Sequence, residues 1–212
     1  MDNGSVILQQ RVGPSSPIAD GSQNLYPTVN RFSSALVAGY SAEYEEYVSR
    51  GECYCACNQS VVTWGTVLTA TAVTFTLYNP AGSPVDLVLL STGITFAACS
   101  TAGSLVYAAN VNNAAVIPAT NTLLTVRNAR LDGSGGFGIA YSVTTLPAAP
   151  VAIRTAAFGP VTATAATGSI VDDVKGGIIL GPNTAVTIQG ITIVGTGLVS
   201  MLWRERLRLK TT

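Results

Sequence analysis

What most constrains this chain is a succession of short apolar runs, each stopped by a cluster of turn-forming residues. Val73, Phe75 and Leu77 alternate with Thr74, Thr76 and Tyr78, and after Asn79-Pro80-Ala81-Gly82-Ser83-Pro84 the alternation resumes at Val85, Leu87 and Leu89. A period of two sends successive side chains to opposite faces of a strand. Further runs lie at 94–98, 104–109, 122–127, 137–145, 151–157, 177–180, 185–194 and 198–209. Between them stand Asp132-Gly133-Ser134-Gly135-Gly136, Leu146-Pro147-Ala148-Ala149-Pro150, Gly181-Pro182-Asn183 and Gly195-Thr196-Gly197, which punctuate through backbone freedom or a fixed φ. About ten short strands, spaced by roughly 8 to 15 residues, predict an all-β antiparallel sandwich or barrel. We place this β-domain at residues 61–212, with 1–60 as a separate N-terminal segment.

Mean hydropathy is high, at +0.40, yet Thr, Ser, Gly, Asn or Pro interrupts the apolar residues every few positions. No run approaches the ~20 residues of a spanning helix, so no membrane partner is expected. The opening Met1-Asp2-Asn3-Gly4-Ser5 has no basic region, and Val6-Ile7-Leu8 is too short for the apolar core of a signal peptide, so no targeting segment is expected either.

Residues 1–31 contain Gly4, Gly13-Pro14-Ser15-Ser16-Pro17, Gly21 and Pro27 without any sustained period, which predicts an extended arm. Val6, Ile7, Leu8, Leu25 and Tyr26 give the arm apolar groups to bury against a neighbour. From Phe32 to Arg50, Leu36, Tyr40, Tyr44 and Tyr47 fall at helical spacing. Ser41 can cap a turn, acids follow it, and Arg50 precedes Gly51, so a short helix over 41–50 fits both the helix dipole and a glycine stop. The tyrosine stripe reads as packing surface.

Charge is unevenly spread. Residues 1–52 hold six acids and three arginines, a net −3; the last nine hold Arg204, Arg206, Arg208 and Lys210 against Glu205, a net +3. The 151 residues between carry only eight charges, which cancel, against a usual charged fraction of about 25%. Such a surface either lies against something or is solvated by its Thr and Ser hydroxyls. On the last strand Met201, Trp203, Glu205, Leu207 and Leu209 share one face, while Arg204, Arg206 and Arg208 share the other with Leu202 and Lys210. Four like charges at alternate positions call for water or an acidic partner. The stripe reads as edge protection or as a contact with the Glu43–Glu52 region of a neighbouring copy.

Chemistry is restricted by the absence of histidine, which removes imidazole bases, ligands and triads. In Glu52-Cys53-Tyr54-Cys55-Ala56-Cys57 an extended backbone puts three thiols on one face at ~6 to 7 Å steps. That spacing is unlike the paired spacing of zinc sites, so buried free thiols are expected, with a disulfide or a metal using Cys99 as the alternatives. Asp172-Asp173 reads as a solvated turn. The glycines from 133 to 138 lack a following helix and a Lys-Ser or Lys-Thr, and so read as a hairpin tip rather than a phosphate loop. A carboxylate-only hydrolase would have to draw on Asp86, Asp132, Asp172 and Asp173. Basic residues are confined to the tail without an aromatic platform, so nucleic acid is not an expected partner. No cofactor is expected.

The succession from Thr76 through Asn79-Pro80-Ala81-Gly82-Ser83-Pro84 to Leu90 resembles a pattern in structural proteins of tailed bacteriophages. So do Leu146-Pro147-Ala148-Ala149-Pro150, Asp172-Asp173 through Gly181-Pro182, and Gly195-Thr196-Gly197 through Trp203-Arg204-Glu205. The chain departs from that pattern in its cysteine-rich segment and its basic tail. The resemblance implies a jelly-roll capsid cement or decoration protein, often trimeric, on the outer surface of the virion. Such a protein has no catalytic residues, and its partners are the major capsid protein and its own copies, as a homotrimer or a dimer. On this reading residues 1–60 clamp the lattice or adjacent subunits. The alternative is a fibre or spike component binding a host-surface glycan, with Trp64, Tyr78, Tyr107, Phe137 and Tyr141 as stacking surfaces.

Overall fold

The alternating runs form strands, and every strand pair is antiparallel. The computed structural model describes residues 44–109, 121–159 and 168–208. It divides into two compact units, 1–46 and 47–212, the first described only at Tyr44, Glu45 and Glu46; the expected arm lies outside the described residues. Helix α1 (Glu45–Ser49) has Glu45 and Glu46 in its first turn, where the dipole favours acids. It stops at Gly51, whose φ of +72° is the left-handed conformation that closes many helices.

The strands are β1 (Cys53–Cys57), β2 (Val62–Thr63), β3 (Val73–Asn79), β4 (Val85–Thr101), β5 (Gly103–Ala109), β6 (Thr122–Leu124), β7 (Arg127–Asn128), β8 (Ile139–Thr144), β9 (Val151–Gly159), β10 (Gly168–Leu180), β11 (Thr184–Ile191) and β12 (Val194–Leu207). Sheet 1 has the order β10-β4-β12-β1-β7, with β2 also on β12; sheet 2 has the order β6-β8-β3-β11-β5-β9. Reduced to the eight strands β1, β3, β4, β5, β9, β10, β11 and β12, the two sheets read β1-β12-β4-β10 and β3-β11-β5-β9. That is the strand order of a jelly roll. The insertion between β5 and β9 adds β7 beyond β1 and the β8-β6 pair beyond β3. β1 belongs to the sandwich, so sheet 1 begins ahead of residue 61.

In three places strand, turn and strand follow one another along the chain without making a hairpin. The turn at Asn79–Pro84 does not close a hairpin: β3 lies in sheet 2 and β4 in sheet 1. Asn79 secures the crossing by donating its Nδ2 to the carbonyls of Val85 (2.8 Å) and Leu180 (2.9 Å). The last two strands are likewise in different sheets, and the chain turns at Thr192, not at Gly195-Thr196-Gly197, which lies within β12. Gly197 is glycine because a Cβ there would run into the Thr95 carbonyl and the Trp64 ring. The segment from Gly133 to Gly138 is no hairpin tip either, since it carries the chain from β7 in sheet 1 to β8 in sheet 2.

Asp172 and Asp173 also depart from expectation, lying within β10 rather than in a turn. The break in β10 comes just after them, where the pairing with β4 shifts between Asp173 and Ile178. Lys175 and Gly176 have positive φ there, and Val174 is drawn into the core.

The core fills the space between the sheets with Phe75, Leu77, Leu87, Leu89, Ile94, Phe96, Leu105, Ile188, Met201 and Trp203, all at most 1% exposed. Trp203 stacks on Tyr54 at 6.4 Å between centroids, and Trp64 meets Phe96 edge-on at 6.1 Å. Asn58, also buried, ties the sheets by donating to Ser142 Oγ (2.7 Å) and accepting from Val199 N (2.9 Å), so its burial leaves no polar atom without a partner.

Candidate interaction surface

The outer face of sheet 1 is built by the alternate residues of its strands. Tyr54 and Ala56 point into the core, so Cys53, Cys55 and Cys57 point out, in the row the sequence anticipated. Directly opposed residues on neighbouring antiparallel strands share a face, so the register gives the cross-strand rows. One runs Arg127, Cys55, Leu202, Ser91, Asp173; the next runs Cys57, Ser200, Gly93, Val171; a third runs Leu198, Thr95, Ser169. Only Arg127 and Asp173 in these rows are charged. Val171, at 70% exposed, and Ile179, at 50%, extend the face along β10.

Cys53 and Cys99 are buried, but Cys55 and Cys57 are only partly so, and all four are free thiols. Burial pushes the Cys53 thiol up from its ordinary 9.0 to about 11, with Arg204 pulling weakly the other way. Burial also raises Cys55 and Cys57. Among the described residues no group of three or more Cys, Asp or Glu is arranged to hold a metal ion.

The arginine stripe finds acids within its own chain. Arg204 Nε lies 2.8 Å from Glu52 Oε2, and its guanidinium stands 4.0 Å from the centre of the Tyr47 ring. Arg206 and Arg208 share Asp86, at 3.3 and 3.2 Å, around a cleft of about 360 Å³. Glu52 is thus engaged inside the molecule. Leu207, expected on the packing face, is 73% exposed, because the paired part of β12 ends there and no second sheet covers it. Val6, Ile7, Leu8, Leu25, Tyr26 and Tyr40 lie outside the described residues; Tyr44 is half-buried just before α1, and Tyr47 is within it.

Two polar clusters join the sheets. Arg154 of the edge strand β9 donates to Asp172 of the edge strand β10 (2.8 Å), and Tyr107 donates its hydroxyl to the same carboxylate (2.9 Å). Burial holds the Tyr107 phenol far above its ordinary range. Glu205 accepts from the backbone N–H groups of Phe137 and Gly138, each at 2.8 Å. These contacts disperse the acids of the β-domain. Asp86 sits between two arginines, Asp132 pairs with Arg130, and Asp172 and Asp173 face opposite sides of β10.

Of the aromatics that were candidates for stacking a sugar, Trp64, Tyr78 and Tyr107 are buried, leaving Phe137 at 51% exposed and Tyr141 half-buried. No helix among the described residues is long and apolar enough to cross a membrane. Glu205 stood out in the strand pattern as a lone acid on an apolar face, but its partners, the backbone N–H groups of Phe137 and Gly138, lie 68 and 67 residues away and no local pattern points to them. No family model matches the chain, and neither a curated protein nor a solved structure matches it.

Proposed function

We propose that this chain is a non-enzymatic structural protein of a virion, a cement or decoration protein that binds the major capsid protein lattice on the outside of a phage head. The observation that carries the reading is the part of the outer face of sheet 1 crossed by the rows through Leu202, Ser200 and Leu198, where Cys, Ser, Gly, Thr, Leu and Val side chains carry only Arg127 and Asp173 as charges and suit a flat partner better than a small ligand; Arg204, Arg206 and Asp86 occupy the other end of the same face. A protein surface with so few charges is poorly solvated when bare. A lattice that repeats one site many times makes weak individual contacts sufficient, because each copy is held at high effective concentration. The glycan-binding alternative has lost three of its five candidate aromatics to the core.

The test is reconstitution. Capsids assembled without this chain are incubated with the purified protein, then imaged and heated. The reading predicts ordered, saturable occupancy and a raised temperature of capsid disruption. Capsids that remain bare at saturating protein would contradict it.

A further inference from the structure

The geometry points to a carboxylate-binding site at the end of β12, where Arg206 and Arg208 together take one acidic side chain of a partner protein. The inference deepens the role proposed above by naming the chemistry of a contact at this end of the sheet 1 face. It rests on that role only for the partner's being the capsid lattice; the site itself belongs to the isolated protein.

The register builds the site. Arg206 stands directly opposite Asp86 of β4, and the backbone N–H of Arg208 donates to the Pro84 carbonyl (3.0 Å). The strand therefore runs on, and positions 206 and 208 share a face. Both guanidiniums turn to the one carboxylate: Arg206 Nη2 lies 3.3 Å from Asp86 Oδ2, and Arg208 Nε lies 3.2 Å from Oδ1. The Asp86 side chain is 16% exposed and the two arginine side chains 50% and 54%. The acid thus forms the floor of the cleft of about 360 Å³, and the cations form its rim.

Charge does not balance there. Arg130, Arg154 and Arg204 each have an acid of their own, whereas Arg206 and Arg208 have one between them, which leaves one positive charge over. A guanidinium carries five N–H donors. Asp86 engages one on each arginine, and among the described residues no other acceptor engages either guanidinium. Two planar donor forks held together over a cleft are suited to a planar oxyanion.

The size of the surplus selects the ligand. One carboxylate neutralises it, while a phosphate dianion would bring excess negative charge up to Asp86. A nucleic acid needs cations in succession along its backbone, and the next one in the stripe, Arg204, is held by Glu52 and stacks on Tyr47. Leu207 lines the same cleft and is 73% exposed, so it offers an apolar wall to the methylene stem of a glutamate. An acidic protein segment meets all of these conditions.

The test is an NMR titration of the purified full chain, at low salt, with a peptide carrying spaced glutamates. It is followed at the arginine Nε–H signals, which Arg206→Gln and Arg208→Gln assign. The signals of Arg206 and Arg208 are expected to shift saturably while those of Arg130 and Arg204 stay in place, and the same peptide with glutamines is expected to shift none. Removing both arginines is expected to weaken binding about tenfold or more. Asp86→Asn removes the competing acid and is expected to strengthen binding about threefold or more, a gain that an unfolded variant cannot give. Unmoved Arg206 and Arg208 signals, equal shifts at Arg130, a glutamine peptide as effective as the glutamate one, or weaker binding by Asp86→Asn would each overturn the inference. So would tighter binding of inorganic phosphate or of a short single-stranded oligonucleotide, titrated in parallel. Capsids are absent from this experiment. A chain that takes the peptide yet leaves capsids bare would count against the proposed function alone, and one that decorates capsids with silent Arg206 and Arg208 signals would count against this inference alone.

Discussion

Glu205, near the end of β12, accepts a 2.8 Å hydrogen bond from the backbone N–H of Gly138, just ahead of β8, and a second of the same length from Phe137. One carboxylate on sheet 1 thereby fixes the loop that delivers the chain to sheet 2. The glycines are needed for this approach: a Cβ on Gly138 would stand 2.9 Å from the Trp203 indole nitrogen, and one on Gly136 would stand 2.8 Å from the Tyr54 ring. Removing the carboxylate leaves two donors without an acceptor in a site where Glu205 is 9% exposed. Glu205→Ala is expected to cost about 2–4 kcal/mol and Glu205→Gln less. Urea denaturation checks the cost, and hydrogen exchange is expected to quicken at Phe137 and Gly138.

The Arg154–Asp172–Tyr107 cluster makes a graded prediction. Asp172→Ala leaves the buried Tyr107 hydroxyl without its acceptor and is expected to cost about 1–3 kcal/mol. Arg154→Ala removes a partly exposed ion pair together with a 5.9 Å contact of its guanidinium with the Tyr107 ring, and is expected to cost about 1 kcal/mol. Thermal unfolding of the two variants side by side checks the order, which is the informative part.

Alkaline pH is expected to destabilise the fold. Burial raises the Cys53 thiol from 9.0 to about 11, and it raises Tyr107, Tyr54 and Tyr141 above their ordinary range as well. In each case the unfolded chain gives up its proton first, so the native state binds more protons at high pH. The stability tied to Cys53 is therefore intact below pH 9 and is lost as pH rises towards 11, by at most about 1.4 kcal/mol per pH unit for one group. Cys53→Ser should flatten that part of a stability-against-pH curve. Thiol titration of the native protein is expected to label Cys55 and Cys57 ahead of Cys53 and Cys99.

Strands were legible wherever a run alternated, because period two is a local property; Val73–Leu77 and Val85–Leu89 are examples. Their pairing was not. The turn chemistry of Asn79–Pro84 is the same whether the chain returns to its own sheet or crosses to the other, and that choice depends on contacts such as Asn79 with Leu180, 101 residues apart. Asp172 looked solvated because its partners, Tyr107 and Arg154, are distant in sequence. The sparsely charged rows of sheet 1 were legible only as a scarcity of charge along the chain; the register alone brings Cys55, Leu202 and Ser91 into one row.

Deleting residues 1–31 tests the clamp assigned to the N-terminal segment. The sandwich is expected to persist, with an unchanged strand-rich circular dichroism spectrum, while capsid occupancy falls to background. Full occupancy by the shortened chain would remove the arm from the binding account.

The proposed role is to cover area on a repeated scaffold, and the number of copies in a purified particle, counted by quantitative mass spectrometry relative to the major capsid protein, decides it. On the order of hundreds of copies per particle, in fixed ratio to the lattice, are expected; a handful of copies, or none, would refute the role.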